Sequence, residues 1–234
     1  MEIWKFVVLI IGSYLIGNIF FARIINKIRG VDTTKMGSGN PGTMNMVRTQ
    51  GFYFGLLTLV LDMLKGVIPA LVGFYLFGGP ANQPDCYIGL YVGGISALVG
   101  NIFPIFYKFK GGKGAAVVYG MFVVADPLLG LFIFIGGFIY LLIFDYAAVM
   151  SFAMITVFTV VEATQMGIRG EGNIVISCLL FAIFCLVWFA HRQNIFRLLV
   201  GKENKVNFRA SFAKHKKKKQ LKQEIKRKNS NEMG

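Results

Sequence analysis

Three clusters of polar and glycine residues interrupt an otherwise apolar chain, and each carries fixed positive charge. The first reads Gly37-Ser38-Gly39-Asn40-Pro41-Gly42-Thr43-Met44-Asn45-Met46-Val47-Arg48. The second is Phe109-Lys110-Gly111-Gly112-Lys113-Gly114, and the third His191-Arg192-Gln193-Asn194-Ile195-Phe196-Arg197. Glycine leaves backbone N–H groups bare, and bare N–H groups beside cations suit a phosphate, because no side chain holds the anion at a distance. In the first cluster Ser38, Asn40, Asn45 and Arg48 offer hydroxyl, amide and guanidinium donors around Gly39, and Arg48 is able to clamp a phosphate through two parallel hydrogen bonds. In the second, Lys110 and Lys113 supply charge while Gly111, Gly112 and Gly114 supply amides. A helix starting after Gly114 would add its dipole. In the third, His191 and Asn194 are three residues apart and share a face on a helix leaving the last apolar run, with Arg197 a turn further on. Each cluster also has a plainer reading, as a turn, a charged hairpin or a boundary histidine, so their co-occurrence carries the phosphate reading.

Two familiar templates do not fit. Gly37 to Gly42 matches G-x-G-x-x-G but lies between apolar runs rather than between a strand and a crossover helix. Gly111-Gly112-Lys113-Gly114 lacks both the spacing of a nucleotide-triphosphate loop and the Ser or Thr that would hold magnesium. Cys86, Cys178 and Cys185 form no metal-binding spacing and read as buried small hydrophobes. No metal and no cofactor is expected.

The elements that must position the clusters are membrane helices. Of the 234 residues, 55% are hydrophobic and only 15% charged, too apolar for a soluble domain of this length. The apolar runs are Trp4 to Ile25, Phe52 to Phe77, Tyr87 to Phe103, Gly114 to Phe144, Tyr146 to Val161 and Ile174 to Ala190. The fourth contains Asp126-Pro127, a charge and a helix breaker, and divides into Gly114 to Ala125 and Leu128 to Phe144. The expectation is an all-α polytopic membrane protein of about seven transmembrane helices. Its first helix reads as retained rather than cleaved, since its basic flank is C-terminal and no A-x-A site follows.

Seven spans place 22 of the 25 basic residues on one side, in the loops after the first and third spans and beyond the last. By the positive-inside rule that side is the cytoplasm, with the N-terminus outside and the C-terminus cytoplasmic. Six spans would put the first loop and the tail on opposite sides. Residues 1–207 form the membrane domain; 208–234 are a lysine-rich cytoplasmic tail expected to be disordered, held near anionic lipid headgroups by charge. Nucleic acid is not an expected partner, because no aromatic residue or recognition motif accompanies the lysines after Phe212.

At these clusters the sequence resembles the PlsY family, bacterial membrane acyl-phosphate:glycerol-3-phosphate acyltransferases. Counterparts of all three family motifs occur in order, and the likeness runs from about Gly12 to Glu203, including Leu61-Asp62 and Lys65-Gly66. The resemblance implies a seven-helix fold in the bacterial inner membrane with its active site facing the cytoplasm. It also implies transfer of a fatty acyl group from acyl phosphate to glycerol 3-phosphate, giving lysophosphatidic acid and phosphate. It makes Ser38 and Arg48 essential groups of the first motif and Lys113, with Gly111, Gly112 and Gly114, the phosphate-binding part of the second. His191 and Asn194 become the polar pair of the third, and Glu203 a structural carboxylate. Acyl phosphate is already an activated mixed anhydride, so no covalent nucleophile is needed. The base is open between His191 and a substrate phosphate oxygen.

The chain departs from the family pattern in two places: Gly100-Asn101 stands where the family usually has Gly-His, and Ala115-Ala116-Val117 where it usually has Val-Ala-Thr. Lineage drift, a different acceptor and a weakened paralogue are all compatible with these changes. An organic-phosphate transporter and a catalytically silent family member are therefore the alternatives to the enzyme.

Overall fold

The computed structural model of the chain describes residues 2–81, 84–169 and 173–207. Every regular element among the described residues is helical, in ten α-helices joined by short turns. They are α1 (Ile3–Gly17), α2 (Phe21–Arg29), α3 (Thr43–Gln50), α4 (Phe52–Leu76), α5 (Asp85–Ile102), α6 (Ala115–Ala125), α7 (Pro127–Phe144), α8 (Ala147–Ile168), α9 (Ile174–Ala190) and α10 (Arg192–Leu199). The tail expected over 208–234 lies outside the described residues.

Among the described residues five segments are long and apolar enough to cross a membrane: Ile3–Arg29, Phe52–Leu76, Asp85–Tyr107, Pro127–Phe144 and Ala147–Ile168. The pair α9 and α10 passes together as a sixth, bent by 58°. The remaining apolar helix, α6, has 11 residues, well under the roughly 20 needed to span a bilayer. It lies among other helices, with Val117, Val118, Met121 and Phe122 all buried. The division at Asp126-Pro127 has a local cause. The Asp126 carboxylate accepts the Leu129 N–H at 2.9 Å as the N-cap of α7, and Pro127 takes the first helical position, where a missing N–H costs nothing.

Two expectations need correction. The first apolar run is not one helix: it breaks at Asn18–Phe20, because the Ile19 carbonyl, freed from the helical ladder, accepts a hydrogen bond from Lys65 of α4 at 2.8 Å. Cys178 and Cys185 are exposed rather than buried, since seven residues on a helix is about two turns and puts both on the outer face of α9. Only Cys86 is a core residue.

The centre of the bundle is α5, packed against α1, α4, α6 and α9. Lipid tails are as apolar as the helices, so close packing rather than hydrophobic exclusion holds such a bundle, and small residues let backbones approach. Gly73 of α4 and Gly89 of α5 face each other so closely that a Cβ on either would collide with the other's carbonyl oxygen. Gly73→Val is therefore expected to abolish recovery of monodisperse protein in detergent. Gly12→Ala, where no atom lies within 4 Å of the added carbon, is expected to leave the melting temperature unchanged or slightly raised.

Candidate active site

The loop and helix ends on one side of the bundle carry all three polar clusters to a single pocket. Its polar wall is formed by Ser38, Asn40 and Arg48 from the first cluster, Gly112, Lys113 and Gly114 from the second, and His191 and Asn194 from the third, joined by Glu203. Opposite, residues of α4 and α6 to α8 form an apolar lobe that includes Leu59, Phe134, Phe138 and Met150. The whole space is about 1120 Å³ with its open mouth included. A polar end continuous with an apolar end suits an amphiphile.

The first cluster is folded by its own side chains. Asn45 is buried; its Oδ1 accepts the Ser38 N–H at 2.9 Å and its Nδ2 donates to the Thr33 carbonyl at 2.8 Å, which bends the loop so that Ser38 lines the pocket. Asn45 thus folds the loop through its Oδ1 and one N–H of Nδ2, and it also lines the pocket. The Gly39 amide is likewise committed, to the Met36 carbonyl at 3.0 Å. Gly42 caps α3, whose first residue Thr43 lines the pocket with a buried hydroxyl oxygen that has no hydrogen-bond partner among the described residues. Arg48, a turn and a half along α3, donates from Nε to the Lys205 carbonyl and from Nη2 to the Asn204 carbonyl, each at 3.0 Å. The planar guanidinium therefore fastens the segment after α10 and still has an edge for an anion.

In the second cluster the glycines serve approach as much as exposure. A Cβ on Gly111 would strike the Asn101 carbonyl oxygen, and Gly114 sits at φ 77°, where L-residues are strained, to start α6. The Gly112 N–H is committed to the Asn101 carbonyl at 2.9 Å. Lys110 is exposed, and neither it nor Gly111 is among the lining residues. Lys113 is the cation that faces the pocket. Burial pushes its ammonium down to about 8; Glu203 pulls the other way, and Arg197 and Arg48 add repulsion. Burial likewise lowers Arg48 from its usual value, with Glu203 opposing and Arg197 assisting. An anionic ligand would relieve both.

At the third cluster the chain turns sharply on His191, which is buried, with Nδ1 2.9 Å from the Val187 carbonyl. In the neutral ring this contact places the hydrogen on Nδ1 and leaves the lone pair on Nε2. Asn194 donates through Nδ2 to Glu203 Oε1 at 2.6 Å, while Arg197 Nε meets Oε2 at 3.0 Å. Glu203 is thus held from both sides, and it fixes Asn194 with its Oδ1 buried in the pocket and unpartnered among the described residues.

Two further features lay beyond the reading of the motifs. Lys65 is buried in α4, paired with Asp62 at 2.9 Å and donating to Ile19 O and to Asn101 Oδ1, each at 2.8 Å. It ties the α1–α2 break, α4 and the end of α5 together directly beneath the Lys113 loop, and Asn101 serves it as acceptor. A lysine inside an apolar run is itself a signal, since an intramembrane charge is costly unless paired. Tyr119 of α6 also lines the pocket, and its buried hydroxyl has no partner among the described residues. An aromatic residue within an apolar run carries no such signal.

The sequence profile of the family described as glycerol-3-phosphate acyltransferase matches residues 7–201. The glycerol-3-phosphate acyltransferase of Aquifex aeolicus is 36% identical over 201 residues, covering 86% of this chain and 99% of its own. That of Geobacter metallireducens is 42% identical over 199 residues, covering 85% and 96%. Among solved structures, the glycerol 3-phosphate form of PlsY (YgiH), an integral membrane glycerol 3-phosphate acyltransferase, superposes with a TM-score of 0.73 at 33% identity, covering 86% of this chain and 94% of that one. Its lysophosphatidic acid form gives 0.73 at 32%, covering 88% and 98%. The profile spans all three clusters that converge on the pocket, and the chain belongs to the glycerol-3-phosphate acyltransferase family.

Proposed function

We propose that this protein transfers a fatty acyl group from acyl phosphate to glycerol 3-phosphate, releasing lysophosphatidic acid and inorganic phosphate. The observation that carries this reading is the single pocket in which Arg48 and Lys113 share a wall with His191 and Asn194, opening into an apolar lobe. Two of the PlsY structures it resembles are a glycerol 3-phosphate form and a lysophosphatidic acid form, acceptor and product of such a transfer. Arg48 and Lys113 hold phosphate, Ser38 and Asn194 orient the acceptor, and the acyl chain lies in the lobe. The glycerol hydroxyl oxygen attacks the acyl carbonyl carbon, the carbonyl π pair moves onto oxygen, and collapse expels phosphate with the former anhydride electrons. The hydroxyl proton leaves to His191 Nε2 or to a phosphate oxygen. Holding both reactants in one pocket supplies most of the acceleration, because the anhydride is already activated. The test is purified protein with acyl phosphate and labelled glycerol 3-phosphate, run beside acyl-CoA. Labelled lysophosphatidic acid from acyl phosphate alone is the expected result, and none from either donor overturns the reading.

The site faces the cytoplasm of a bacterial inner membrane in this proposal, on the strength of the basic loops around it, and the segment 208–234 adds attraction to anionic headgroups. In a cysteine-free background, single cysteines at Ser38, Lys110 and Glu203 are expected to be shielded from an impermeant thiol reagent in intact cells. A cysteine at Ala81, which is exposed, is expected to react, and the opposite pattern inverts the topology.

A further inference from the structure

Within the apolar lobe one hydrogen-bond donor is left over. Tyr119 is 6% exposed, lines the pocket, and among the described residues its hydroxyl has no partner. The other hydroxyl of the lobe, on Ser151, is spent: it donates to the Ala147 carbonyl at 2.9 Å. Asp62 of α4 also lines the pocket, its carboxylate paired with Lys65 at 2.9 Å; the wall is otherwise hydrocarbon, with Leu59, Phe134, Phe138 and Met150 among it. The Tyr119 ring is fixed edge-on against Phe134, with centroids 6.3 Å apart. Burying a hydroxyl without a partner is costly, so a lone one in an apolar wall wants an oxygen that arrives with the ligand.

Its position narrows which oxygen. Tyr119 is one turn past Ala115, a rise of about 6 Å. Helical side chains lean back toward the N-terminus, here toward Gly114 and Lys113. The hydroxyl thus belongs to the part of the pocket between the phosphate wall and the hydrocarbon. On an acylated phosphate the atom at that boundary is the acyl carbonyl oxygen. We propose that Tyr119 is a further substrate contact, whose hydroxyl donates to the acyl carbonyl oxygen. No proton is transferred; as the acceptor attacks and charge grows on that oxygen, the same hydrogen bond strengthens.

The inference rests on the acyl-transfer reading above, and Tyr119→Phe tests it separately, because phenylalanine keeps the ring and its contact with Phe134. In turnover, kcat is expected to fall about 10- to 100-fold with KM for glycerol 3-phosphate within about twofold of the parent, at an unchanged melting temperature. A binding arm needs no turnover. Tyr119→Phe is expected to weaken binding of 1-acyl lysophosphatidic acid about 3- to 10-fold, yet leave binding of its 1-alkyl ether analogue, which has no carbonyl, unaltered. If ester and ether lose affinity equally, or neither does, the contact to the carbonyl is wrong, whatever the parent turns over. If the parent transfers no acyl group while the ester-specific loss is seen, the contact stands and the proposed reaction falls.

Discussion

Lys113→Met is expected to lower acyl transfer by about 10²- to 10³-fold while leaving the protein as stable as the parent, or more so. Lys113 is held half-buried with burial pressing its pKa down to about 8, so the folded protein tolerates this charge rather than gaining from it. A methionine of similar length removes that desolvation cost. The ligand loses a charge-assisted contact of about 1.5 to 3 kcal/mol, and more once charge develops on the departing phosphate. The same burial gives a pH dependence of defined sign. Above about 8 the parent's ammonium is increasingly neutral, so affinity for glycerol 3-phosphate should weaken as pH rises through that value, and binding at pH 8 should take up about half a proton per site. Calorimetry in buffers of different ionisation enthalpy reads the proton uptake. Binding that is flat between pH 7 and 9, or turnover in Lys113→Met equal to the parent, removes Lys113 from the phosphate site.

The parts of this structure that were legible in the sequence are those with local causes. The apolar runs, the charge and helix breaker at Asp126-Pro127 and the three basic clusters are each written in a few neighbouring residues, and the helices and the pocket follow them. What was not legible depends on residues far apart in the chain. The break at Asn18–Phe20 is stabilised by Lys65, 46 residues from Ile19, and nothing near Asn18 announces it. Residue type also does not say which way a polar group turns. Asn45 has the donors of a phosphate ligand but also folds its own loop, through Ser38 and Thr33, while the Gly112 amide is taken by Asn101. Conversely, Tyr119 reads as core from its neighbours, and only the pocket reveals that its hydroxyl has no partner among the described residues. Asn101 illustrates a departure from the family pattern whose local use is clear: its Oδ1 accepts the buried Lys65 ammonium and its carbonyl anchors the Lys113 loop.

Arg48 invites the opposite expectation to Lys113, because its charge is built into the fold as well as the site. Nε and Nη2 hold the Lys205 and Asn204 carbonyls, and Glu203, one residue before them, fixes Asn194. Arg48→Lys keeps the charge, yet an ammonium is a point donor on a flexible stem. It has no rigid fork with which to satisfy two carbonyls on one side and present an edge to phosphate on the other. Arg48→Lys should therefore lower turnover about 100-fold and also lower the melting temperature, with Arg48→Ala worse on both counts. The two losses have separate readouts. If Arg48 serves phosphate alone, Arg48→Lys raises KM for glycerol 3-phosphate at an unchanged melting temperature. If it also positions Asn194 through the 203–205 segment, kcat falls with KM, and saturating substrate does not restore the rate. Turnover of Arg48→Lys within about twofold of the parent would show that charge alone suffices, and would dismiss the coupling between this guanidinium and the third cluster.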